Sequence, residues 1–144
     1  MKIDIICVGK LKEDYLKAAS AEYIKRLAPY AKINITQLAD DKNATAALTR
    51  AVEAIPYAIY LAVDGKALSS EGLALKLQNL AVNGVSHIAF VIGGATGLPA
   101  AIAPLCAFGL SLSNMTFTHQ MARIIILEQI YRAFSIIAKT PYHK

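Results

Sequence analysis

The sequence predicts an α/β fold: a mostly parallel sheet with helices on both faces. Three observations predict it. Short apolar, β-branched segments alternate along the chain with segments of helical period. Residues 57–63 are a continuous apolar run, the pattern of a strand buried on both faces, and 87–92 read as a further buried strand. No linker, internal repeat or low-complexity stretch interrupts the alternation, and 144 residues suit one domain, 1–144.

Residues 3–8 are apolar and end at Gly9, which reads as the first strand. Residues 13–28 place Tyr15, Leu16, Ala19, Tyr23, Ile24 and Leu27 on one face, so a helix is expected up to Pro29. Residues 32–38 alternate as a strand, 40–43 form a polar turn, and 44–55 suit a helix closed by Pro56. After the strand 57–63, Asp64-Gly65-Lys66 reads as a turn. Ser69 or Ser70 can cap a helix to Ala81 that Asn83-Gly84 ends. The strand 87–92 runs into Gly93-Gly94-Ala95-Thr96-Gly97, and Pro99 fits the first turn of a short helix to about Ala107. Residues 110–112 suit a short strand. Thr118 can cap the last helix, 120–139.

The composition is 56% hydrophobic and 17% charged, too apolar for disorder. The longest apolar run, from Leu98 to Leu110, spans 13 residues and holds two prolines, short of the roughly 18 a membrane span needs. Its start lacks a signal-peptide pattern, and Cys7 and Cys106 sit in apolar runs, so a cytoplasmic protein with reduced core thiols is expected. The net charge of +5 mildly favours an anionic partner. From Leu77 to Ala122 there is no Asp, Glu, Lys or Arg in 46 residues. That segment is expected to be buried. It leads into a basic end with Arg123, Arg132, Lys139 and Lys144. The last helix is apolar almost all round, which suits either a central core helix or one packed on both its own sheet and a second subunit.

Ligands of parallel α/β sheets bind beyond the carboxyl ends of the strands. Three loops are candidates there, after Val63, Ile92 and Leu112. The glycine loop 93–97 follows a buried strand but matches neither the dinucleotide nor the triphosphate pattern, so it is a ligand loop of another kind or a tight turn. His87, His119 and His143 are scattered without metal-ligand spacing, and no metal is expected. No nucleophile motif surrounds either cysteine. Tyr142-His143-Lys144, with Arg132 and Lys139 before it, offers an aromatic face, an imidazole and cations. Such a set can stack on a base, move a proton and pair with phosphate, or simply form a solubilising tail.

Several segments together carry a resemblance. They are Lys2-Ile3-Asp4-Ile5-Ile6-Cys7-Val8-Gly9-Lys10-Leu11-Lys12, Ala21-Glu22-Tyr23-Ile24-Lys25-Arg26-Leu27 and Asp64-Gly65-Lys66 with Leu68-Ser69-Ser70-Glu71-Gly72. They continue with Val91-Ile92-Gly93-Gly94-Ala95-Thr96-Gly97-Leu98, Leu110-Ser111-Leu112-Ser113-Asn114-Met115-Thr116-Phe117-Thr118-His119-Gln120, Glu128-Gln129-Ile130-Tyr131-Arg132-Ala133 and Tyr142-His143-Lys144. In order and over nearly the whole chain, these resemble the ribosomal RNA large subunit methyltransferase H family of the SPOUT superfamily. The resemblance implies a trefoil-knotted α/β fold, a homodimer, S-adenosyl-L-methionine as methyl donor, and N3 of a pseudouridine in 23S rRNA of the assembled ribosome as acceptor. By position it implies cofactor contacts at Leu61, Gly93, Leu112, Ser113, Asn114, Met115, Thr116 and Phe117. It implies catalytic roles for Arg132, Tyr142 and His143: anion or phosphate binding, base orientation and proton acceptance. In a dimer the end of one chain would serve the partner's cofactor site. Two rivals share the fold: a non-catalytic RNA-binding module and a methyltransferase acting on tRNA. The chain departs from the family pattern at Thr118, where proline is usual and a looser loop is expected, and in a shorter stretch from Asp40 to Ile55.

Overall fold

The computed structural model describes residues 1–143. Five strands form one sheet: β1 (Lys2–Val8), β2 (Lys32–Leu38), β3 (Tyr57–Ala67), β4 (His87–Ile92) and β5 (Phe108–Ser111). Their order is β2-β1-β4-β3-β5, and every neighbouring pair is parallel. Three α-helices connect successive strands, α1 (Asp14–Leu27), α2 (Ala44–Glu53) and α3 (Ser70–Val82), and a fourth, α4 (His119–Ile137), follows β5.

The two-residue period of the central strands sorts their side chains into two cores. Ile3, Ile5 and Cys7 of β1, Ile88, Phe90 and Ile92 of β4 and Ile59 of β3 face one way, onto Leu27, Leu73, Leu77, Ile126, Leu127 and Ile130 of α1, α3 and α4. Ile6, Val8, Ala58, Ala89 and Val91 face the other way, onto Leu48 and Val52 of α2 and onto Ile102. Full burial of a side chain such as Phe90 or Ile126 stabilises the fold by roughly 1.5–3 kcal/mol.

Local chemistry sets the helix ends. The Ser69 hydroxyl accepts from the Gly72 N–H at 3.0 Å, capping α3. Gly84 at φ +85° ends that helix, with the Val85 N–H returning to the Leu80 carbonyl at 2.8 Å. The Thr118 hydroxyl accepts from the Met121 N–H at 3.2 Å and opens α4. Beyond α4, Lys139 takes φ 58° and the Thr140 N–H reaches the Ser135 carbonyl at 2.9 Å, which turns the chain back along the helix.

The strand and turn boundaries differ from expectation at four places. Asp64-Gly65-Lys66 is not a turn between elements: β3 runs on to Ala67, with a register shift between Leu61 and Lys66, both of which pair with Leu110 of β5. At Gly65 a Cβ would lie 2.8–2.9 Å from backbone atoms of Gly109 and Leu110, so only glycine permits that close passage. β3 is also not buried on both faces throughout, because only Ala58 and Ile59 are fully enclosed. The short helix after Pro99 is instead a series of turns with one 3₁₀ turn, Ala103–Leu105, where a second proline, Pro104, removes a backbone donor. The last strand is Phe108–Ser111, two residues earlier than its spacing suggests, in register with β3.

The charge-free segment is buried only in part. Val82, Leu105, Met115, Phe117 and Met121 are exposed apolar side chains within it. On α4, Ile126, Leu127, Ile130 and Ala133 face the sheet and its helical neighbours, while Ile125, Phe134, Ile136 and Ile137 are only half-buried. No helix among the described residues is long and apolar enough to cross a membrane.

Candidate active site

The middle of β3, the carboxyl end of β4 and the loop after β5 converge on a hollow of about 970 Å³. Its walls are Leu61, Ala62 and Val63 from β3, Ile92 with the glycine loop, and residues of the 112–117 loop. The first turn of α4 and the start of α1 close the remaining sides. Two of the three loops expected from the strand pattern, after Ile92 and after Leu112, meet here; in place of the loop expected after Val63, the third wall is the middle of β3, which continues as a strand to Ala67. Seven of the eight residues expected to contact a cofactor line this hollow: Leu61, Gly93, Leu112, Ser113, Met115, Thr116 and Phe117. Asn114 is exposed and lies outside the lining.

Backbone shape dominates here. Gly93 is buried, and a Cβ on it would come within 2.5 Å of the Gly97 carbonyl oxygen and the Leu98 nitrogen. Gly97, at φ +92°, returns its N–H to the Gly94 carbonyl at 3.0 Å. The loop is thus folded tightly on itself, and at Gly93, Gly94 and Gly97 it brings to the hollow residues that carry no side chain. Across it, the Ser111 hydroxyl donates to the Ser113 carbonyl at 3.0 Å, and the Ser113 hydroxyl accepts from the Met115 N–H at 2.9 Å. Ser113 thereby shapes the loop from within. Met115 and Phe117 stand exposed at the mouth, with Tyr15 and Val63 opposite.

His119 and Glu13 also line the hollow, and sequence reasoning did not place either there. The signal for His119 was its position immediately after the capping Thr118. Arg123, one turn further along α4, is almost fully buried. Its Nη1 donates to the Gln37 Oε1 at 2.7 Å and its Nη2 to the Gly9 carbonyl at 2.9 Å. Burial pushes the nearby Cys7 thiol up from its ordinary pKa, with Arg123 pulling the other way, so Cys7 remains a protonated core thiol.

Arg132, Tyr142 and His143 form a second cluster. Glu128 organises it: its Oε1 accepts from the Arg132 guanidinium and from the Tyr142 hydroxyl at 3.0 Å, and its Oε2 from the Gln129 amide at 2.9 Å. The Arg132 Nη1 lies 3.3 Å from the His143 Nδ1, and the His143 Nε2 lies 2.8 Å from the Glu71 Oε1. Arg132 stacks over the Tyr142 ring at 4.9 Å, and the Tyr142 ring meets Tyr131 edge-on at 4.6 Å. Burial, then hydrogen bonds to Tyr23 and Glu128, pushes the Tyr142 phenol well above its ordinary pKa, so it is a donor at neutral pH. The Glu128 hydrogen bond raises Arg132 further, and hydrogen bonds from its own N–H and then from His143 lower Glu71. Lys144, expected to add a cation here, lies outside the described residues.

The two clusters sit at opposite ends of α4. His119 at the hollow and Arg132 are thirteen residues apart, roughly 20 Å along the helix axis at 1.5 Å per residue. Within one protomer, none of the three residues expected to be catalytic lines the hollow.

A parallel sheet with a glycine-loop-lined hollow at the ends of β4 and β5 defines a ligand-binding α/β protein, and comparison with known proteins makes the class specific. A family model described as predicted SPOUT methyltransferase matches residues 1–143. Curated relatives named ribosomal RNA large subunit methyltransferase H, from Halothermothrix orenii and Bifidobacterium adolescentis, are each 46% identical over the full length of both chains. Among solved structures, a probable methylase family protein from Haemophilus influenzae is similar, with a TM-score of 0.60 at 14% identity, over 99% of this chain and 70% of that one. A methyltransferase structure from Legionella pneumophila with bound S-adenosylmethionine has a TM-score of 0.52 at 12% identity, over 93% of this chain and 66% of that one. The chain belongs to the SPOUT methyltransferases and, within them, to the ribosomal RNA large subunit methyltransferase H family.

Proposed function

We propose that this chain is a cytoplasmic homodimeric enzyme that methylates N3 of a pseudouridine in 23S rRNA of the assembled ribosome, with S-adenosyl-L-methionine as donor. The observation that carries the reading is the hollow lined by the glycine loop and the 112–117 loop, in a protein whose full-length relatives bear the rRNA methyltransferase name.

The residues present fit such a donor. The cavity volume falls within the roughly 300–1,000 Å³ of small-molecule sites. Leu61, Ile92 and Leu112 give apolar walls for an adenine, and the backbone of the glycine and 112–117 loops gives its polar edge partners. The enclosed Gly93 keeps side chains out of that wall. The donor supplies a methyl carbon already activated by positively charged sulfur. What remains for the protein is to align N3 with that carbon and to take up the N3 proton. Arg132 is suited to hold a phosphate or the imide oxygen that gains charge. Tyr142, protonated, orients the base through its ring and hydroxyl. In the neutral His143 ring, Nδ1 accepts from Arg132 and Nε2–H donates to Glu71. When Arg132 turns to RNA, Nδ1 is released as the proton acceptor.

Because the two clusters are far apart in one protomer, the proposed dimer brings the Tyr142-His143 segment of one subunit to the partner's hollow. The exposed collar of Tyr15, Val63, Met115 and Phe117 supports this, since it is apolar surface at the mouth of a polar-backbone site. The test is transfer of labelled methyl to intact ribosomes, with mapping of the labelled nucleotide. Label in tRNA instead, or no binding of donor by calorimetry, overturns the reading. Mixed dimers test the shared site: a Gly93→Ala subunit paired with a His143→Ala subunit should regain one working site, and mixtures without activity reject subunit sharing.

A further inference from the structure

Resting on the reading above, we infer that Glu128 is a positioning residue for the methyl transfer: it sets the orientation of Arg132 and Tyr142, and through Arg132 the tautomer of His143. Glu128 is the one side chain among the described residues that bonds both Arg132 and Tyr142. It stands one helical turn before Arg132, the spacing at which side chains on a helix meet. Nε and Nη2 both bond the Glu128 Oε1, which holds one edge of the guanidinium and aims Nη1 at the His143 Nδ1 until RNA draws it away. A ring nitrogen facing a guanidinium donor must offer its lone pair, which places the ring proton on Nε2, toward Glu71.

The carboxylate is itself held. The Gln129 amide donates to its Oε2, and the Gln129 carbonyl accepts from the Ser70 hydroxyl at 2.7 Å, which ties the group to the start of α3. Glu128 is largely shielded, with 18% of its side chain exposed, and so acts in a medium where a charge-assisted bond directs geometry. The groups facing the cluster are Arg132 and Glu128 from α4, Tyr23 from α1, Glu71 from α3, and Tyr142 with His143 from the returning segment. No other carboxylate among the described residues bonds Arg132. Glu128 acts without touching RNA or donor; its effect passes through its neighbours.

The experiment compares full-length wild type with Glu128→Gln, Glu128→Asp and, as a surface-carboxylate control, Glu22→Gln. Methyl transfer to ribosomes is followed together with nitrogen NMR of His143 and ultraviolet titration of the tyrosines. Glu128→Gln should lower kcat by about 100-fold with little change in KM, the loss expected of misplaced reacting groups. The His143 ring should shift from the Nε2–H form to a mixture, and one phenol should ionise at lower pH than in wild type. Glu128→Asp, which keeps the charge, should recover part of each, and Glu22→Gln should match wild type. Wild-type kcat in Glu128→Gln, or an unchanged His143 tautomer, overturns the assignment. If Glu128→Gln does not fold, Glu128→Asp carries the same readouts: an intermediate tautomer shift supports the assignment and none overturns it. Failure of wild type to methylate ribosomes would instead reject the functional reading, and the NMR and phenol readouts would still decide the role of Glu128.

Discussion

Arg123 and Gly9 lie 114 residues apart in sequence, yet the Arg123 Nη2 donates to the Gly9 carbonyl at 2.9 Å inside the protein. With Nη1 on Gln37, this guanidinium fastens the first turn of α4 to the carboxyl ends of β1 and β2. A backbone bond from the Lys12 N–H to the Gln120 Oε1 at 3.0 Å adds to the same clamp. The hollow's α4 wall is therefore held by the strands it overhangs. Replacing Arg123 with Met keeps most of the volume but leaves the Gly9 carbonyl unpaired. A loss of about 1–3 kcal/mol in urea unfolding is expected, the cost of a buried unsatisfied group. A variant as stable as wild type would show that the clamp contributes nothing.

The two adjacent glycines of the ligand loop should respond differently. A Cβ at Gly93 meets backbone at 2.5 Å, which cannot yield. At Gly94 it meets the Val8 Cγ1 at 3.2 Å and the Asp40 Oδ2 at 3.3 Å, which can shift by tenths of an ångström. Gly93→Ala is expected to cost about 1–3 kcal/mol or more and to abolish donor binding by calorimetry, whereas Gly94→Ala should cost less and still bind. Equal behaviour of the two variants would contradict the geometry.

Alkaline stability should depend on Tyr142. Its phenol pKa is raised in the folded state, above the ordinary value of about 10 in the unfolded chain. A raised folded pKa means that the contribution is fully present below pH about 10 and is lost as pH climbs through the raised value. From about pH 10 upward, wild type should lose unfolding free energy more steeply than Tyr142→Phe, which has no proton to hold. Parallel curves in denaturant titrations over that range would remove Tyr142 from the account.

Thr118 occupies the position where the family pattern has proline, and the loop is not loosened by it. Its φ of −60° is close to the value a proline ring imposes, and its hydroxyl caps α4. Thr118→Ala should cost about 1 kcal/mol in thermal or urea unfolding through loss of the cap. Thr118→Pro should fold with the same circular dichroism as wild type. A misfolded proline variant would mean that the backbone there differs from the one described.

Much of this protein was legible in the order of its residues. Alternation in 32–38 and apolar runs in 3–8 and 87–92 reported strands, because a pleated backbone points successive side chains to opposite faces and a strand covered on both faces is apolar nearly throughout. Ser69, Thr118 and the glycines at 84 and 93–97 marked helix ends and the ligand loop, because capping and positive φ are local demands met by few residue types. What tertiary structure alone decided are the long-range encounters. β3 continues through Asp64-Gly65-Lys66 because Leu110 pairs beside it, and no local signal records a partner some fifty residues away. His119 enters the hollow, Glu71 reaches His143, and Arg132 lies far along α4 from the ligand loops, all through the way helices settle on the sheet. Glu128 bonding Arg132 was within reach of the four-residue helical spacing, but its hold on Tyr142 required the chain to turn back at Lys139. Periodicity encodes which face is buried; it carries no information about which buried faces meet.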